Sequence, residues 1–105
     1  MENEAFLDRL YKFARDNASK VKAVSRGNDP EEGTRVFYFL VGRTIYDSEF
    51  EQALMDLDLK LSRKYRDQFS SFSLSQFPIE PTADELRNYP FVGEIIWHPE
   101  QPANA

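Results

Sequence analysis

The apolar positions of this chain follow two periods, and the changes from one period to the other mark out its elements. Phe6, Leu7, Leu10, Tyr11, Phe13 and Ala14 recur three and four residues apart, with Asp8, Arg9, Lys12 and Arg15 between them. That is the spacing of one helical face, so an amphipathic helix is predicted from Glu2 to about Asn17. Lys20 to Arg26 alternates Val21 and Ala23 with Lys20 and Lys22, which suits a short strand. Gly27 to Gly33 reads GNDPEEG, a run of turn formers predicted to join antiparallel strands. Thr34 to Arg43 reads TRVFYFLVGR, with no charge between Arg35 and Arg43 and no polar face. A run of that kind predicts a strand covered on both sides by protein.

Asp47 and Ser48 open a second helix, where Ser48 and Glu51 have capping-box spacing. Phe50, Leu54, Leu57, Leu61 and Tyr65 then trace a single stripe. Acids crowd the start of this helix (Asp47, Glu49, Glu51) and bases its end (Lys60, Arg63, Lys64, Arg66), the arrangement that the helix dipole favours. Gln68 to Phe77 alternates Phe72 and Leu74 with Ser71, Ser73 and Ser75, the period of a strand with one covered face. Pro78 and Pro81 stop it. Thr82 and Glu85 repeat the capping pattern and start a short helix through about Asn88, and Gly93 leads into a last strand, Glu94 to Trp97. The order α-β-β-α-β-α-β predicts an α+β fold, a single mixed or antiparallel sheet of about four strands with helices packed on it. One domain is expected over residues 1–97, followed by a disordered tail, 98–105, that contains two prolines.

Composition narrows the range of functions. A chain of 105 residues has room for one core, and nine Phe, five Tyr and one Trp supply much of it. There is no cysteine, so disulfides and thiolate-ligated metals are excluded. A net charge of −5 argues against generic nucleic-acid binding, which draws its affinity from cations on phosphates. The acidic N-terminus is unlike a signal peptide, and no apolar run approaches the ~18 residues of a membrane span. A soluble, cytoplasmic protein is expected.

Candidate chemistry is sparse. Asp56 and Asp58 lie two positions apart on a helix, about 200° around its axis, so their carboxylates diverge and do not share an ion. The loop from Gly27 to Gly33 lacks both the spaced ligands of a calcium loop and the Lys or Ser/Thr of a phosphate loop. His98 is the single histidine, without a second ligand or a nucleophile in a recognisable arrangement. Ser70, Ser71, Ser73 and Ser75 lack the glycine-flanked turn that presents a nucleophile. No catalytic residue, metal ligand or cofactor is assigned from these patterns.

The element order over residues 5 to 97 resembles that of the small nucleotidyltransferases of the polymerase-β type. Lys20 to Gly27 occupies the place of the strand that ends in Gly-Ser in that family, and Val36 to Val41 the place of the strand that bears its Asp-x-Asp pair. The resemblance implies aspartates holding two metal ions, but those positions here read Phe37, Tyr38 and Phe39. Phe69 to Phe77 also has no acid. A relative of this kind would have lost its active site, and no catalytic residue carries over.

The expectation is therefore a non-catalytic domain acting through a protein partner or through self-association. Tyr38, Tyr46, Tyr89, Phe91 and Trp97 are its candidate contact residues, since Tyr and Trp suit interfaces. The alternative is a nucleotide- or anion-binding domain, a degenerate nucleotidyltransferase-like protein that uses Arg26, Arg35 and Arg43.

Overall fold

A computed structural model of the chain describes residues 4–43, 47–65 and 72–99. It contains, in order, α1 (Glu4–Asp16), β1 (Ala23–Asn28), β2 (Arg35–Leu40), α2 (Ser48–Lys64), β3 (Phe72–Phe77), α3 (Ala83–Asn88), a single 3₁₀ turn (Pro90–Val92) and β4 (Glu94–Trp97). The α+β order read from the sequence is the order observed. The four strands form one mixed sheet, β3-β2-β1-β4. β1 runs antiparallel to both β2 and β4, and β2 runs parallel to β3. Parallel neighbours need a crossover, and α2 supplies it.

β2 is an inner strand, and its uninterrupted apolar run serves two faces. Phe37 and Phe39 point into one cluster with Phe6, Leu10 and Ala14 of α1, Phe50, Leu54 and Leu61 of α2, and Trp97. Val36, Tyr38 and Leu40 point into the other, with Ala23, Ile79 and Val92. Phe6 is the hub of the first cluster, its ring 5.3 Å from Phe37, 5.5 Å from Tyr65 and 5.0 Å from Phe72 between centroids. The second face is covered by the chain between β3 and β4, where Phe77 meets Tyr38, Tyr89 and Phe91 edge-on at 5.6, 5.3 and 5.5 Å. The aromatic content is thus divided between two layers, and every aromatic side chain among the described residues is buried or half-buried.

Local readings shift in three places. β1 begins at Ala23, because the chain first turns at residues 17–20, where the Val21 N–H donates to the Asn17 carbonyl. Gly27 and Asn28 belong to β1 and not to the loop. Asp47, not Ser48, caps α2, its carboxylate accepting the Phe50 N–H at 3.0 Å while Ser48 is already helical. Thr82 caps α3 as its spacing predicts, accepting from the Glu85 N–H. Of the final segment, His98 and Pro99 are described and residues 100–105 lie outside the described residues, as do residues 68–71 ahead of β3.

The second layer is held by a close backbone approach. A Cβ on Gly27 would lie 2.1 Å from the Phe91 carbonyl oxygen, and one on Gly93 would lie 1.9 Å from that of Arg26. Gly93 also has φ of 81°, in the region that side chains disfavour. Two glycines thereby let the 3₁₀ turn lie directly on β1.

Candidate functional site

The structure separates the residues that the sequence grouped as candidates. Tyr38 is 5% exposed and Trp97 3%, so both serve the core. The Tyr38 hydroxyl donates to the Asn28 carbonyl at 2.8 Å, and burial, followed by the Asp29 carboxylate, pushes its phenol above the ordinary value. Tyr89 and Phe91 are half-buried in the second cluster, and Tyr46 lies outside the described residues.

The three arginines do not converge. Arg26 and Arg35 sit toward the end of the β1–β2 ladder where Asn28 opposes Arg35, whereas Arg43 lies beyond the opposite end of β2. β2 alone, from Arg35 to Leu40, puts roughly 17 Å of extended strand between Arg35 and the end beyond which Arg43 lies. Arg26 pairs with Glu94, Arg43 with Glu85, and Arg35 donates to the Gly27 carbonyl. The Arg43 backbone N–H is bound to Glu80, whose carboxylate also meets Lys22 at 3.1 Å.

Large apolar side chains reach solvent elsewhere, on the outer face of α2. Met55 is 57% exposed and Leu59 51%. Both are out of phase with the stripe of Phe50, Leu54, Leu57 and Leu61 that packs on the sheet. An open hollow of about 380 Å³ runs beside them, lined among the described residues by Gln52, Met55, Asp56, Asp58, Leu59 and Ser62. The lining has a fixed side and an open one. Asp58 is anchored, its carboxylate accepting the Leu74 N–H of β3 at 3.0 Å and the Ser62 hydroxyl at 3.0 Å. Asp56 is exposed and, among the described residues, accepts from Gln52 alone, one turn earlier. The two aspartates diverge, as helix geometry requires, but Asp58 is a tie between helix and strand and not a solvent-facing group.

Around Met55 and Leu59 the exposed charges are sorted by sign. Glu49 and Asp56 lie on the N-terminal side and Lys60, Arg63 and Lys64 on the C-terminal side. Sequence reading attributed this gradient to the helix dipole. The signal it passed over is the pair of large apolar residues, four apart, on the side of α2 opposite the packing stripe.

Among the described residues no group of three or more His, Asp or Glu side chains is placed to hold a metal ion, and no helix is long and apolar enough to cross a membrane. No protein-family model, no curated protein and no solved structure matches this chain.

Proposed function

We propose that this chain is a non-catalytic protein-interaction domain whose contact surface is the outer face of α2. The observation that carries this reading is the exposure of Met55 and Leu59 by more than half, in a chain that shields every described aromatic side chain. Exposed large apolar residues grouped beside a hollow and rimmed by charge are a common mark of a protein-binding surface. On this reading any kinship with the nucleotidyltransferases is architectural, because Phe37, Tyr38 and Phe39 are given over to packing on the two faces of β2.

The test is photo-crosslinking in living cells, with the reactive residue placed at Gln52 and, as a control, at Lys12 on the exposed face of α1. The expected result is a protein adduct from position 52 that disappears when Leu59→Lys is added, and none from position 12. Equal labelling from both positions overturns the reading. An anion- or nucleotide-binding domain built on Arg26, Arg35 and Arg43 draws less support, because these side chains are spread over both ends of the sheet and two of them are paired with carboxylates.

A further inference from the structure

We infer that the occupant of this face is a second copy of the chain, docked through α2 against α2 in antiparallel, two-fold fashion. The inference rests on the reading of this face as an interaction surface and adds the identity of the partner.

The argument comes from the order of residues along the helix. At about 100° per residue, Gln52, Met55, Leu59 and Arg63 fall within about 80° of one another and form the outermost line of α2. Glu49, Asp56 and Lys60 flank that line on one side. Read from the N-terminus, the charges on the line and this flank run Glu49, Asp56, Lys60, Arg63, two negative and then two positive. Met55 and Leu59 lie one on each side of Leu57, close to the midpoint of Ser48–Lys64.

A two-fold axis across the helix at the level of Leu57 reverses the second copy. Met55 then meets Leu59 of the second copy, and Leu59 meets its Met55. The same flank faces itself, as an isologous contact requires. Glu49 then comes within two residues of the level of Arg63 of the second copy, and Asp56 within two of its Lys60, about 3 Å along the axis and within reach of the long basic side chains, each pair occurring twice. A parallel two-fold pairing instead puts this flank on opposite sides in the two copies and brings no acid level with a base. Glu49, Lys60 and Arg63 are exposed and form no ion pair among the described residues, so they are available for this arrangement. The apolar pair supplies the attraction, and the charges fix direction and register.

One helix pair of this length covers less than the roughly 1,200 Å² of a stable interface. The dimer is therefore a weak one, with dissociation on the order of micromolar or above.

Sedimentation of the purified full chain from about 10 µM to about 1 mM, a range set by that affinity, tests the inference. The expected mass rises from 12.3 kDa toward twice that value. Leu59→Lys weakens association by about tenfold or more, as loss of a central apolar anchor does. Direction is read independently of any destabilising variant. The natural chain has no cysteine, so mixing Met55→Cys with Leu59→Cys under mild oxidation should give mainly the mixed disulfide, with little from either variant alone. A wild type that stays monomeric throughout overturns the inference, as do single-variant disulfides that form as fast as the mixed one. A monomeric wild type whose position 52 still cross-links to a different protein removes this inference and leaves the interaction reading standing.

Discussion

The carboxylate of Asp58, near the middle of α2, accepts the backbone N–H of Leu74 on β3 at 3.0 Å. β3 is an edge strand, and edge strands expose N–H groups to which another strand can add. Leu74 turns its N–H away from β2, and Asp58 occupies it with a charge that repels an incoming carbonyl. Ser62 holds the carboxylate in place from one turn further along. Asp58→Ala is expected to lower stability by about 1.5 to 3 kcal/mol, the range for a hydrogen bond to a charged group. Amide exchange at Leu74 should accelerate more than at Ser73 or Ser75. Unchanged exchange at Leu74 would show that the tie does not protect the edge.

Gly27 and Gly93 are expected to be the least replaceable small residues in the second layer. Alanine at either must displace a backbone carbonyl, since the added carbon would lie near 2 Å from one in each case. Strands and turns do not yield as the end of a long side chain does, so a loss of about 3 kcal/mol or more is expected for either variant. Gly33 provides the control. It also has positive φ, 75°, but an added Cβ meets nothing within 4 Å, so Gly33→Ala should cost only about 1 kcal/mol. Chemical denaturation of the three variants checks the order, and equal losses would refute the packing argument.

The contrast between these glycines shows what could be read from the chain and what could not. The β2 run announced a strand covered on both faces, because uniform apolarity over that length leaves no side for water. The stripe from Phe50 to Tyr65 announced α2 by its period. Gly27 reads as loop because glycine beside Asn28, Asp29 and Pro30 carries the local signature of a turn. Its actual role depends on Phe91 and Val92, more than sixty residues away, which no local pattern records. Trp97 and Tyr38 were candidates for the surface on residue type alone. The sheet order placed both under cover, and sheet order is a long-range property. The outer face of α2 is legible in principle, since Met55 and Leu59 break the phase of the helix, but the stronger period of the buried stripe dominates the pattern.

Ser25 is the one polar side chain in the buried core among the described residues, and its hydroxyl has no hydrogen-bond partner there. It lies opposite Tyr38 and Ile95 in the sheet, on the second face. A buried hydroxyl without a partner carries a desolvation cost of roughly 1 to 3 kcal/mol. Ser25→Ala removes it with little change in volume and is expected to raise stability by about 1 kcal/mol, or about 4 °C in Tm for a domain of this size. Ser25→Val is expected to lose stability, because added methyl groups crowd a filled site. Thermal unfolding of both variants decides the matter, and a destabilised Ser25→Ala would show that the hydroxyl is needed.

Acid should weaken the fold through two surface carboxylates. Asp47 is held below its ordinary range first by Lys20, whose Nζ lies 2.6 Å away, and then by the Phe50 N–H. Glu80 is held below its range first by Lys22 and then by the Arg43 N–H. A carboxyl whose pKa is lower folded than unfolded binds its proton more readily in the unfolded chain. Its contribution is therefore complete above the ordinary carboxylate range and is lost as pH falls through that range toward the lower folded value. Both groups are near solvent, so the effect is small and salt should diminish it. Asp47→Asn keeps a side chain that can accept the Phe50 N–H, and Glu80→Gln keeps its size, so the double variant removes charge with little change of shape. The fall in urea midpoint between about pH 5 and pH 3 should be shallower in this variant than in the wild type. Adding salt should narrow the difference. Identical profiles would mean that the Lys20 and Lys22 pairs contribute nothing to the acid sensitivity of the fold.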